Sequence, residues 1–102
     1  CIFKNTAWGR EDTDKDKLLG QFPELVMFEK QSHIPTSYLL DHAGLKGTRI
    51  GGAVISPKHA NFFINEGTAS AEDVRGLIRH AKENVRKKFG ILIEEEIQYV
   101  GF

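Results

Sequence analysis

Apolar residues recur at helical spacing most clearly after Ser70, where Val74, Leu77, Ile78, Ala81, Val85 and Phe89 follow one another until Gly90. Ser70 with Asp73 three residues on makes a capping box, and the glycine is a stop, so the pattern predicts a helix between them. A shorter helix is predicted where Thr13 and Asp16 offer a cap and Leu18, Leu19 and Phe22 share one face before Pro23. Another opens at Pro35-Thr36-Ser37 and runs through Ala43, with Leu39, Leu40 and Ala43 inward and Gly44 at the C′ position. Residues 25–28 are an apolar run that periodicity alone does not assign. Strand patterns occupy residues 1–5, Val54-Ile55 and Phe62-Phe63-Ile64, the last two separated by the turn-prone Ser56-Pro57-Lys58-His59. Residues 91–100 alternate: Ile91, Ile93, Ile97 and Tyr99 share a face with Glu95, whereas Glu94, Glu96, Gln98 and Val100 face the other way. Glu96 is thereby directed off the core. The elements together predict one α+β domain over residues 1–102, a small mixed or antiparallel sheet with helices packed on one face.

Charge narrows the partners. Fourteen basic and fourteen acidic residues cancel in a chain of 102, so net charge argues for neither nucleic acid nor an anionic membrane. Residues 70–90 hold six Lys/Arg against three Asp/Glu, but Arg86, Lys87 and Lys88 in the last turn complement the helix dipole. No aromatic residues interleave on that basic face, as a nucleic-acid platform requires. The single cysteine excludes an internal disulfide, and no apolar run approaches the roughly 20 residues needed to span a bilayer. These features fit a soluble protein in a reducing compartment. The chain opens on Cys1 with no charged-then-apolar signal segment before it, which is expected of a domain excised from a longer protein or of a processed cysteine. A lipidated N-terminal cysteine is the sharp form of the second case, and the strand-like Ile2-Phe3 argues against it, because lipoprotein tethers are polar.

Candidate chemistry concentrates in residues 46–62. Lys46, Arg49, Lys58 and His59 supply donors suited to an anion around the paired Gly51-Gly52, where a missing Cβ lets a ligand approach the backbone. Other chemistries fail on spacing. Asp12, Asp14 and Asp16 have a calcium-loop interval, but Lys17 stands where glycine is needed and Pro23 where glutamate is. His33, His42, His59 and His80 lack zinc-site spacing, so no metal is expected. The glycines at 44, 47, 51 and 52 are not followed by the Gly-Lys-Ser/Thr of a phosphate loop. A Cys1–His59 hydrolase pairing has poor specificity, since any small domain with both residues would permit it.

A resemblance runs through the whole chain. Cys1 with Ile2-Phe3-Lys4-Asn5, Leu39-Leu40-Asp41-His42-Ala43-Gly44-Leu45-Lys46-Gly47, the stretch from Gly51-Gly52-Ala53 to Asn61-Phe62, Ile64-Asn65, and Phe89-Gly90 leading to Glu96-Ile97 resemble, in order and spacing, the C-terminal domain of UDP-N-acetylenolpyruvoylglucosamine reductases. That family of cytoplasmic flavoenzymes uses NADPH to reduce an enolpyruvyl ether of UDP-N-acetylglucosamine to UDP-N-acetylmuramate in bacterial cell-wall synthesis. The resemblance implies that FAD is bound mainly by domains N-terminal to residue 1, and that this chain alone does not turn over. It implies a UDP-sugar substrate and the chain's own FAD-binding domains as partners, with no nucleic acid or membrane. The family's proton-donating serine falls at Cys1, a tolerable departure because a thiol, with an ordinary pKa of about 8.5, gives up a proton more readily than an alkyl alcohol. Asn5 matches a substrate-contacting asparagine, although Thr6 replaces the proline that follows it in the family. Lys46 and His59 match residues that hold substrate, and Glu96 matches the glutamate of the last strand. Arg49 and Lys58 join them on charge and proximity rather than on the resemblance. The competing expectation is a stand-alone module that docks an anion on the basic helix 70–89; it leaves residues 46–62 and Glu96 without a role.

Overall fold

Residues 1–96 are described by the computed structural model, an α+β arrangement. In chain order its elements are β1 (Thr6–Ala7), α1 (Lys15–Gln21), β2 (His33–Ile34), α2 (Thr36–His42), β3 (Arg49–Ile50), β4 (Ala53–Ile55), β5 (Phe63–Asn65) and α3 (Ala71–Phe89), with 3₁₀ turns at Glu11–Thr13 and Pro23–Phe28. The unassigned apolar run at 25–28 is thus the second 3₁₀ turn, started by Pro23 and burying Leu25 and Phe28. The expected single sheet is instead two antiparallel ones: β1 pairs with β2, and β3, β4 and β5 form a meander in which Val54 lies opposite both Arg49 and Ile64.

Helix α3 forms where the sequence places it. The hydroxyl of Ser70 accepts from Asp73 N–H, the Asp73 carboxylate accepts from Ser70 N–H, and Gly90 closes the helix at φ 72°. Val74, Leu77, Ile78, Ala81, Val85 and Phe89 are all buried, on one stripe that packs against β3, β4 and α2. Leu39 and Leu40 of α2, Ile55 of β4, and Ile91 and Ile93 belong to the same core.

Three expectations need correction. Asp14, not Thr13, caps α1: the Asp14 carboxylate accepts from Lys17 N–H at 3.0 Å, while the buried Thr13 hydroxyl donates to Ala7 O and accepts from Arg10 N–H. A hydroxyl already satisfied within its loop is not free to cap, so the next acceptor along the chain does so. Residues 1–5 and the described part of 91–100 do not form regular strands but meet in one antiparallel bridge, Phe3 opposite Glu95. The alternation survives without the strand, since Ile91 and Ile93 are buried while Leu92, Glu94 and Glu96 are exposed. The positions assigned to Ile97, Gln98, Tyr99 and Val100 lie outside the described residues.

The third correction concerns the paired glycines. A Cβ on Gly52 would lie 2.5 Å from Ala69 N, and one on Gly51, itself at φ 56°, would lie 2.4 Å from the Asp73 carboxylate. The chain's own turn into α3 fills the space a ligand was expected to use. That turn also holds Asp73 ionised: hydrogen bonds from Ser70 N–H and Gly52 N–H bring its pKa below the ordinary carboxylate value. Gly52→Ala is therefore expected to destabilise the fold by about 1–3 kcal/mol, because the clash is with backbone that cannot rotate aside. Thermal unfolding of the variant checks this.

Candidate functional site

The sheet brings the separated cations together. Gly47 N–H donates to Ile55 O and Ile55 N–H donates to Thr48 O, extending the β3–β4 pairing back toward Lys46. Lys46 thus sits beside the point where β4 ends and the loop of Lys58 and His59 begins. That loop is fixed by Ser56, whose hydroxyl accepts from the N–H groups of both Lys58 and His59 at 3.2 Å. The His59 ring packs on Phe62, with centroids 4.5 Å apart.

Lys46, Lys58 and His59 edge a groove of about 320 Å³ whose other wall is Phe28, Pro35, Ser37, Tyr38 and Asp41. Phe28 and Tyr38 meet edge to face at 5.0 Å, giving that wall an aromatic surface. Burial, and then the negative charges of Glu24 and Asp41, raise the Tyr38 pKa, so its hydroxyl remains a neutral donor. Lys46 lies 3.4 Å from Asp41. Such an exposed pair contributes about 0–1 kcal/mol, little resistance to an incoming anion. Arg49 is not in the groove: it lies 2.7 Å from Glu66 Oε1, at the other end of the sheet. Phe28, Pro35, Ser37, Tyr38, Asp41 and Ala60 line the groove without having been singled out as site residues in the sequence. Tyr38 and Asp41 are one helical turn apart on α2, the one sequence signal that they share a face.

The segments that carry Cys1 and Glu96 are joined by the backbone. Lys4 N–H donates to Glu94 O and Glu96 N–H donates to Ile2 O, both at 2.9 Å, so the exposed Glu96 lies across from the residue next to the exposed Cys1. The three glutamates separate in role: Glu94 reaches Arg10 at 3.5 Å and Glu95 reaches Lys82 at 2.9 Å. The Cys1 segment also abuts the groove. Ile2 N–H donates to the carbonyl of Asn61, which follows the groove residue Ala60. Thr36, between the groove residues Pro35 and Ser37, donates its hydroxyl to Lys4 O. Asn5 Oδ1 accepts from Thr36 N–H at 3.3 Å, capping α2 in place of Pro35, which has no side-chain cap.

A larger hollow, about 590 Å³, lies between Arg10, Asp12, Lys17, Leu92 and Glu94. Arg10, Asp12 and Glu94 there are already engaged with one another. The Arg10 guanidinium bonds Asp12 at 2.6 Å and donates to Leu92 O, while Asp12 accepts from Leu92 N–H. Burial opposes ionisation of Asp12, but the bonds from Arg10 and Leu92 outweigh it and lower its pKa. This cluster fastens the segment carrying Glu96 to the first loop. Four of the six cations of α3 are engaged: Arg75 meets Glu72, Lys82 meets Glu95, Lys87 meets Glu83, and Lys88 donates to His42 O. Among the described residues, no three His, Cys, Asp or Glu side chains converge as a metal site. No helix among them is long and apolar enough to cross a membrane.

Fold and site together define an α+β domain with a cation-edged groove beside two joined segments that carry a thiol and a carboxylate. The family described as UDP-N-acetylenolpyruvoylglucosamine reductase, C-terminal domain, matches residues 1–100. The chain belongs to that family. The UDP-N-acetylenolpyruvoylglucosamine reductase of Anaeromyxobacter dehalogenans is 52% identical over 103 residues, covering 98% of this chain and 31% of the relative. That of Caldicellulosiruptor bescii is 64% identical over 63 residues, covering 62% of this chain and 20% of the relative. The crystal structure of the reductase (MurB) from Thermus caldophilus aligns with 94% of this chain and 25% of its own, at a TM-score of 0.55 and 31% identity. The chain therefore spans about a fifth to a third of the length of these relatives.

Proposed function

We propose that this chain is the substrate-binding part of a cytoplasmic, NADPH- and FAD-dependent oxidoreductase that converts UDP-N-acetylenolpyruvoylglucosamine to UDP-N-acetylmuramate for peptidoglycan, and so for cell shape. Its partners are the UDP-sugar and the flavin-binding domains that the longer relatives have room for. The observation that carries this reading is the pairing of residues 2–4 with 94–96 beside the groove of Lys46, Lys58 and His59. The donors of the groove suit a phosphorylated sugar, and the glycine pair, filled by the chain's own atoms, offers a flavin no cradle. When bound by the neighbouring domains, the flavin supplies hydride to the terminal enolpyruvyl carbon. This chain's residues handle the proton and the charge. Cys1 Sγ holds the proton that goes to the carbon bearing the carboxylate. Glu96, when its carboxyl carries a proton, donates a hydrogen bond toward that carboxylate, where negative charge accumulates in the transition state. Lys46, Lys58 and His59 hold the anionic nucleotide, with Tyr38 donating from the opposite wall. Asn5 keeps its oxygen on Thr36 and offers its amide nitrogen to substrate.

Lys46→Ala and His59→Ala in the complete enzyme are expected to weaken substrate binding by about 1–3 kcal/mol each, because each leaves an anionic group of the substrate without its partner. Arg49→Ala is expected to leave affinity unchanged. Calorimetric titration of the oxidised enzyme with substrate measures all three, and equal affinity throughout would remove the groove from the proposal.

A further inference from the structure

We infer that Asn61 is a positioning residue for Cys1, one that ties the proton donor to the loop holding the substrate; the inference rests on the reading of Cys1 as that donor. Asn61 is 2% exposed, yet both polar atoms of its side chain have partners. Asn61 Oδ1 accepts from Phe3 N–H at 2.9 Å and Asn61 Nδ2 donates to Phe3 O at 3.0 Å. A third bond runs from Ile2 N–H to the backbone carbonyl of Asn61 at 2.9 Å.

The geometry follows from strand pairing. In an extended segment, successive peptide groups point to opposite sides. The groups of Ile2 and Lys4 that face residues 94–96 are paired there, so the N–H and C=O of Phe3 point to the other side. The Asn61 carboxamide presents an acceptor and a donor in the arrangement of a peptide group, and completes the ladder on that side from a side chain. Phe3 is itself buried, so its backbone polar groups need these partners.

Position makes the bond more than a fold contact. Asn61 follows Ala60 of the groove and stands two residues after His59, whose loop Ser56 fixes. One residue therefore sets both the placement of the segment that begins with Cys1 and its distance from the substrate-holding tip. Misplacement of a reacting group by about 1 Å costs about 10²-fold in rate. Asparagine is suited to this place because aspartate lacks the donor for Phe3 O and alanine lacks both groups.

The test uses the complete holoenzyme carrying Asn61→Ala, alone and combined with Cys1→Ala, with Asn61→Ser as the milder variant should alanine not fold. Asn61→Ala is expected to slow flavin reoxidation by substrate about 10²-fold, to leave flavin reduction by NADPH unchanged, and to add nothing further when Cys1 is already alanine. Deuterium uptake in the peptide spanning residues 1–8 should rise. A slowing of equal size in the Cys1 and Cys1→Ala backgrounds would make Asn61 a general fold contact and overturn the inference, as would unchanged reoxidation or impaired flavin reduction. Wild-type reoxidation in Cys1→Ala alone would instead overturn the donor assignment, and deuterium uptake would still report whether Asn61 holds the segment.

Discussion

Replacing Cys1 by alanine in the complete enzyme is expected to slow reoxidation of the reduced flavin by the enolpyruvyl substrate about 10²-fold or more, the contribution of a positioned general acid. Cys1 is exposed, at the end of a segment that hydrogen bonds hold on two sides, by residues 94–96 and by Asn61. On the proposed reading its Sγ meets a substrate seated in the groove while residues 2–4 stay held. Cys1→Ser puts a hydroxyl of similar size in place of the thiol and should keep much of the rate. Stopped-flow absorbance of the flavin reads both variants, and equal damage from alanine and serine would remove Cys1 from the role of donor.

Glu96→Ala is expected to produce a loss of similar size in the same step, whereas Glu96→Gln keeps substantially more activity. An amide and a carboxyl can each donate a hydrogen bond to the charge developing on the substrate carboxylate; alanine cannot. Its neighbours supply the internal control. Glu94 reaches Arg10 and Glu95 reaches Lys82, exposed or half-exposed pairs whose loss changes stability by about 0–1 kcal/mol. Glu94→Ala and Glu95→Ala should therefore leave reoxidation near the wild-type rate. Three glutamates that tolerate alanine equally would mean a solvated edge rather than a site.

Helix α3 was legible because everything that fixes it is local: a capping box, a repeating apolar stripe and a glycine stop lie within 21 successive positions, 70–90. The hairpin joining β4 to β5 was legible for the same reason, with β-rich runs on either side of Ser56-Pro57. What escaped depends on distant partners. The Thr13 hydroxyl was committed to Ala7 O, leaving the cap to Asp14. Strands β1, β2 and β3 have two residues each, too short for a period of two to declare itself. Gly51 and Gly52 were correctly marked as places of close approach, but only the fold reveals that the approaching atoms belong to Asp73, Thr68 and Ala69.

The candidate site divides along the same line. Lys46, Lys58 and His59 converge because the β3–β4 pairing brings residues 46–48 against Ile55; Arg49, three positions further, is carried to Glu66 instead. Charge and nearness in sequence could not separate those outcomes. Alternation separates Glu96 from Glu95, and only the register of the resemblance separates it from Glu94; burial of Ile91 and Ile93 with exposure of Glu94 and Glu96 follows that alternation. Tyr38 and Asn61 gave weaker signals. An aromatic in an amphipathic helix usually reads as core, and one buried amide among apolar residues shows its purpose only when Phe3 is placed beside it.

The central claim is that this chain handles the substrate's proton and charge while hydride chemistry belongs to the neighbouring domains, and separating the two half-reactions by rapid mixing tests it most directly. In Cys1→Ala and Glu96→Ala holoenzymes, reduction of the flavin by NADPH should proceed at the wild-type rate and its reoxidation by the enolpyruvyl substrate should fall about 10²-fold or more. Slowed reduction with reoxidation intact, in folded enzyme, would contradict the account.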